Sequence, residues 1–160
     1  MRVSTFLWLD GQAEAVATHY TALFADSGIG DIHRNPDGRV TTVDFTLGGQ
    51  RYIAFNGAPR YPFTRAISMH AECDTQPALD ALWASLTDGG EEGPGGSLTD
   101  RFGVTWQVLP TNLRELLRNA APATAERVLT ALHTMTKIDI QGLIDAHDAR
   151  EVREATPSAG

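Results

Sequence analysis

The chain has 160 residues, of which 42% are hydrophobic and 21% charged, and its 20 acidic against 13 basic residues give a formal charge of -7. This composition is typical of a folded globular protein and excludes a collagen-like or wholly disordered chain. The acidic balance and the lack of a basic run argue against a nucleic-acid partner. No apolar run approaches the ~20 residues of a membrane span, so we expect a cytoplasmic protein without a membrane partner.

The first half of the chain predicts one helix within a set of four strands. Aromatic and β-branched residues at 3–9 favour a strand, after which the Asp10 carboxylate is placed to cap the next helix. That helix has an apolar stripe at helical spacing, formed by Val16, His19, Tyr20, Leu23 and Phe24. Three further strands, separated by an Asn-Pro-Asp-Gly turn and a Gly-Gly turn, are predicted over residues 29–34, 41–47 and 51–56.

The second half repeats this order and then adds helices. A strand over residues 66–73 leads into a helix that has Pro77 in its first turn. The apolar stripe of this helix lies 63 positions after the first stripe and consists of Leu79, Leu82, Trp83 and Leu86. Of the strands that follow, only the one over residues 104–109 is well marked. Apolar periodicity predicts further helices after Pro110, after Pro122 and over residues 138–147.

This weak repeat predicts an α+β fold of two modules, each with the order β-α-β-β-β. The modules are expected over residues 1–59 and 66–110, within one domain of residues 1–110. A helical extension is expected over residues 111–147 and a frayed tail over residues 148–160. We assign Phe6, Trp8 and Trp83 to the core, from strand alternation and from the helix stripe.

Three segments carry a resemblance to a known family. They are Phe6-Leu7-Trp8-Leu9-Asp10-Gly11-Gln12-Ala13-Glu14, Asp100-Arg101-Phe102-Gly103-Val104-Thr105-Trp106-Gln107 and Met135-Thr136-Lys137-Ile138-Asp139. With these segments in this order, the chain resembles the PhnB-like proteins of the vicinal oxygen chelate superfamily, which have the glyoxalase and bleomycin-resistance fold. The resemblance implies strands that curl around a concave small-molecule pocket, and a homodimer.

The resemblance also implies where the metal-using members of the superfamily would hold a divalent ion. The matching strand positions carry Thr5 or Val3, Asn56, Ser68 and Gln107. These positions supply hydroxyl and amide groups, whereas a divalent ion favours carboxylate or imidazole ligands. We therefore expect no metal and no other cofactor, with a divalent metal as the alternative.

PhnB-like proteins are often labelled 3-demethylubiquinone methyltransferases. Methyl transfer from S-adenosylmethionine commonly uses a glycine-rich turn between a strand and a helix. The glycine-rich segment of this chain, residues 93–96, follows a helix and precedes a strand. We interpret the segment as a flexible loop and do not expect methyl transfer.

His70 is the best candidate for a pocket residue. Strand alternation places Ser68, His70 and Glu72 on one face, and His70 with Glu72 forms the candidate catalytic acid-base pair. A purely structural hydrogen bond by His70 fits the pattern equally well. The residues predicted to bind a ligand are Thr5, Asn56, Ser68, His70 and Gln107.

Two classes of function follow from these features. The first is a binding protein that holds a small molecule in a metal-free pocket of a homodimer. The second is a lyase, isomerase or dioxygenase that uses a divalent metal or the pair of His70 and Glu72. The identity of the ligand does not follow from the sequence.

Overall fold

The computed structural model describes residues 1, 3–58 and 60–149. The chain divides into two compact units, one of Met1–Ile67 with Asp100–Thr105 and one of Ser68–Thr99 with the chain from Trp106 onward. The predicted frayed tail lies outside the described residues, apart from Asp148 and Ala149. Among the described residues, every helix is too short or too polar to span a lipid bilayer.

The first unit is a mixed sheet with one helix. Its elements are β1 (Thr5–Leu9), α1 (Ala13–Leu23), β2 (Gly28–Arg34), β3 (Val40–Leu47) and β4 (Gln50–Asn56). The strand order is β1-β4-β3-β2, with β1 parallel to β4 and the other pairs antiparallel. All four strands and the helix that the sequence predicts for residues 1–59 are confirmed.

The core of this unit lies between α1 and one face of the sheet. Alternate residues of the strands are buried there, and the helix contributes Val16, Ala17 and Tyr20, each of them fully buried. The strand residues on this face are Leu7, Leu9, Val43, Phe45, Tyr52 and Ala54. Burial of this apolar surface is the main stabilising contribution to the unit.

The assignment of Phe6 to the core is wrong, because its side chain is 52% exposed. Phe6 and Trp8 lie on the other face of β1, where Trp8 is half-buried and contacts the rings of Phe55 and Tyr61 edge-on. Phe-Leu-Trp-Leu is apolar in both registers, so alternation alone does not select the buried face. Trp83 of the second unit is buried, as predicted.

The second unit has shorter strands and more helices. Its elements are β5 (Met69–Cys73), α2 (Gln76–Thr87), β6 (Glu91–Glu92), β7 (Ser97–Thr99), β8 (Thr105–Pro110), α3 (Leu113–Leu117), α4 (Pro122–Thr134) and α5 (Ile140–Asp148). The strand order is β5-β8-β7-β6, with β5 parallel to β8. Pro77 and Pro122 lie in the first turns of α2 and α4, as expected for residues that need no intrahelical donor there.

The glycine-rich segment 93–96, which the sequence predicts to be a flexible loop, forms backbone hydrogen bonds to neighbouring segments. The amides of Gly95 and Gly96 donate to the carbonyls of Met135 (2.7 Å) and Thr136 (2.9 Å), in the connection between α4 and α5. The Gly96 carbonyl accepts from Val108 of β8 at 2.8 Å. Gly96 has φ +76°, and a Cβ there would lie 2.7 Å from the Val108 carbonyl oxygen, so the close approach requires glycine.

Candidate functional site

The second unit contains a cavity of about 460 Å³ beside β5 and the end of β8. Its volume falls in the range of small-molecule sites, about 300–1,000 Å³. Two strands, α3 and the C-cap residue of α3 contribute its lining, which consists of His70, Glu72, Leu109, Pro110, Leu113, Arg114, Leu117 and Arg118. The two candidate catalytic residues therefore share one concave surface.

Strand register explains why His70 and Glu72 point the same way. Ala71 and Cys73 are buried, which places the two residues that alternate with them on the opposite face of β5. Across the parallel pair, His70 lies beside Gln107 and Glu72 beside Leu109. Gln107 is half-buried next to His70 but does not line the cavity, and Ser68 lies just before β5.

Cys73, which alternates with Glu72, is a buried thiol. Burial raises its pKa, and the neighbouring Asp74 carboxylate raises it further. Both effects disfavour the thiolate, which is the nucleophilic form. Cys73 therefore serves as a small buried hydrophobic residue.

The position of α3 completes the cavity. The amide of Thr111 donates to the carbonyl of Cys73 at 3.1 Å, so the chain that leaves β8 stays next to β5. The helix begins two residues later, and Leu113 with Leu117 and Arg114 with Arg118 are pairs four residues apart. The apolar periodicity after Pro110 predicts this short helix but not its contribution to the site.

Thr5 and Asn56, the predicted ligand-binding residues of the first unit, do not line this cavity. Thr5 is exposed and pairs with Tyr52, on the α1 side of the sheet. Asn56 borders a different cavity of about 500 Å³, where its side chain accepts from the Ala13 amide (2.9 Å) and donates to the Val40 carbonyl (3.0 Å). The Asn56 side chain thus satisfies a backbone amide at the start of α1, a role that the sequence predicts for Asp10.

These residues do not fit a metal centre. Both polar atoms of the Asn56 amide are engaged in hydrogen bonds within its unit, and Thr5, Ser68 and Gln107 offer neutral oxygen donors. In the part of the chain that the structure describes, no three His, Cys, Asp or Glu side chains come together in a group able to hold an ion.

The segment that begins at Asp100 has a structural role in the first unit. The Asp100 carboxylate is buried, accepts a hydrogen bond from the Tyr20 hydroxyl, and accepts from the backbone amides of Phe102 (2.9 Å) and Val104 (3.0 Å). Several donors on one buried carboxylate compensate its loss of water. Asp100 therefore organises the turn that precedes β8 and links it to α1.

The segment that begins at Met135 has a structural role in the second unit. Gln76, at the start of α2, donates to the Ile138 carbonyl and accepts from the Ile140 amide, both at 2.9 Å. Lys137 pairs with Asp80 at 2.7 Å. Hydrogen bonds from Lys137 and Gln76 lower the pKa of the Asp80 carboxyl. We name the contacts of Gln76, Asp80, Lys137, Ile138 and Ile140 the α2 clasp, because they hold the α4–α5 connection against α2.

Residues 1–109 match the family model described as 3-demethylubiquinone-9 3-methyltransferase. The chain belongs to this family. The match and the PhnB structure below confirm the resemblance to PhnB-like proteins. The solved structures confirm the predicted α+β fold.

Solved structures share this fold. The PhnB protein from Bacillus cereus is 29% identical, with a TM-score of 0.65, over 69% of this chain and 100% of that one. A protein from Pseudomonas aeruginosa is 18% identical, with a TM-score of 0.57, over 69% and 97% of the two chains. The fosfomycin resistance protein FosX from Listeria monocytogenes, complexed with Mn(II) and sulfate, is 12% identical, with a TM-score of 0.55, over 74% and 98%. The last two likenesses concern the fold alone. No curated protein matches this chain.

Proposed function

We propose that this PhnB-like protein binds a small organic molecule in the cavity formed by β5, the end of β8 and α3, without a chelated metal ion. The observation that carries the proposal is the convergence of His70 and Glu72 with the apolar and basic residues of α3 around one volume of about 460 Å³. Binding sites for small molecules combine such apolar walls with a few polar groups.

Methyl transfer is not part of the proposal, although the family name refers to it. The amides of Gly95 and Gly96 donate to backbone carbonyls within the second unit, so these two donors are already used. A glycine-rich turn that binds a cofactor presents free amides at the start of a helix. Segment 93–96 instead precedes the short strand β7.

Ligand binding is tested on protein purified without chelators. Metal content is measured by elemental analysis, and a library of small organic acids, amines and alcohols is screened by thermal shift and by NMR of labelled protein. We expect less than a stoichiometric amount of metal, and ligands that perturb resonances of β5 and α3. His70→Ala is expected to weaken the best ligand about tenfold, the loss of one strong hydrogen bond.

His33→Ala provides the matched control, because His33 is an exposed strand residue of the first unit. It should leave the affinity unchanged. If about one metal ion per chain is found and is lost in His70→Ala, the metal-dependent enzyme is the correct interpretation. If no library compound perturbs β5 or α3, the binding site is wrong.

We also propose that the protein is a homodimer. The outer strand β2 of the first unit carries Ile29 and Ile32, which are 41% and 37% exposed. An edge strand that exposes apolar side chains tends to pair with another chain. Sedimentation equilibrium should show a dimer at micromolar concentration, and Ile32→Lys should shift it toward monomer. A wild-type monomer would contradict the proposal.

A further inference from the structure

Three charged side chains line the cavity of the second unit, and none of them is paired with another described side chain. In the described part of the chain, Glu72, Arg114 and Arg118 form no salt bridge and no side-chain hydrogen bond. The negative charge comes from β5, and the two positive charges come from Arg114 of α3 and from Arg118, which directly follows α3. Opposite charges that border one cavity and are not paired with each other are available to a ligand that carries both charges.

An apolar surface accompanies these charges. Leu109 and Pro110 at the end of β8, with Leu113 and Leu117 of α3, line the same cavity, and each of these side chains is buried or half-buried. A hydrocarbon segment of a ligand gains roughly 25 cal/mol for each Å² that it removes from water against such a surface. Polar groups at the ends of the segment can then meet the charged side chains.

From this arrangement we infer that the ligand is an amphipathic zwitterion, with an aliphatic body, a carboxylate that faces Arg114 and Arg118, and an ammonium group that faces Glu72. The inference rests on the proposed function and specifies its ligand class. Arginine recognises carboxylates through paired hydrogen bonds, which favours a carboxylate at the α3 side. His70, beside Glu72 on β5, offers a further hydrogen-bonding group on the strand side.

A matched series of probes separates the contributions of the two charges. The probes are ω-amino-octanoate, octanoate, octylamine and octanol, which share one hydrocarbon chain and differ in their end groups. Affinities are measured by NMR titration of the resonances of β5 and α3. We expect ω-amino-octanoate to bind about tenfold more tightly than octanoate or octylamine, because one charge-assisted hydrogen bond contributes about one decade.

Variants test which residue recognises each end. Glu72→Gln should abolish the preference for ω-amino-octanoate over octanoate, and Arg114→Gln with Arg118→Gln should abolish its preference over octylamine. Glu91→Gln and Arg65→Gln are matched controls, since Glu91 is an exposed acidic residue of β6 and Arg65 an exposed basic residue of the first unit. Both controls should retain the wild-type preferences.

The outcomes distinguish this inference from the proposed function. If octanol or a singly charged probe binds β5 and α3 as tightly as ω-amino-octanoate, the zwitterion is wrong while the binding site stands. If none of the four probes binds but other library compounds do, the zwitterion is again wrong while the binding site stands. If neither the probes nor the library perturb β5 and α3, both proposals fail.

Discussion

The two units share one order of strands and helix, but their sheets differ in strand length and in the segments that pack or hydrogen-bond against them. In the first unit, α1 covers one face of a sheet whose strands have five to eight residues. In the second unit, β6 and β7 have only two and three residues, and the α4–α5 connection accepts the hydrogen bonds of the glycine segment next to them. The difference indicates that strands this short suffice when a later segment of the chain satisfies the neighbouring backbone groups.

The largest expected loss of stability tests whether the second unit depends on the packing of its glycine segment against β8 and the α4–α5 connection. Gly96→Ala should lower the free energy of unfolding by about 2–5 kcal/mol, because it combines a left-handed backbone with overlap against tightly packed atoms. The new Cβ would lie 2.7 Å from the Val108 oxygen and 2.9 Å from Ile138 Cγ1. Urea denaturation measures the change.

Gly95→Ala is the control for this prediction. Gly95 has a similar φ of +67°, but the nearest atoms to its new Cβ would be 3.9 Å away. Only the backbone strain, about 1–2 kcal/mol, should remain. If the two substitutions lowered the free energy of unfolding equally, the close approach of Gly96 to Val108 would not contribute to the stability of segment 93–96.

The next effect tests the two faces of β1 in the first unit. Leu7 is 5% exposed on the α1 side, whereas its neighbour Phe6 is 52% exposed. Leu7→Ala should therefore lower the free energy of unfolding by about 2–4 kcal/mol, and Phe6→Ala by less than about 1 kcal/mol. Thermal and urea denaturation compare the two variants. A larger loss for Phe6→Ala would mean that the faces of the strand are reversed.

The smallest effect concerns the α2 clasp and depends on pH. The pKa of Asp80 is lowered in the folded protein, so its contribution to stability is present above the unfolded pKa of about 3.9 and is lost as the pH falls through the folded pKa. Asp80→Asn should thus lower the melting temperature slightly at neutral pH and not at all in strong acid. Asp80 and Lys137 are both partly exposed, which keeps the effect small.

Asp31→Asn is the reference for this pH series, because Asp31 is an exposed carboxylate on β2 of the first unit. Its melting temperature should follow that of the wild type at every pH. A difference between Asp80→Asn and the wild type that persists unchanged into strong acid would contradict a role for the charge of Asp80 in the clasp.

Much of the fold could be predicted because it depends on local chemistry. Periodicity of apolar residues located α1 and α2, and glycine and proline at turns located the ends of β2, β3 and β4. Three motifs were enough to indicate the family, although the structure assigns Asp100 and Lys137 to stabilising contacts. The strands β6 and β7 were poorly marked because two or three residues are too few to show an alternation.

The candidate site could be predicted only in part. Alternation along β5 determined that His70 and Glu72 share a face, because that relation depends on the backbone of a single strand. The choice of face in β1 required packing against α1, since Phe6 and Leu7 are both apolar. Only the tertiary structure placed Arg114 and Arg118 on the same cavity as Glu72, which lies about 40 positions earlier in the chain. The pairing of β5 with β8 and the hydrogen bond from Thr111 to Cys73 bring these segments together, and neither leaves a periodic signal in the sequence.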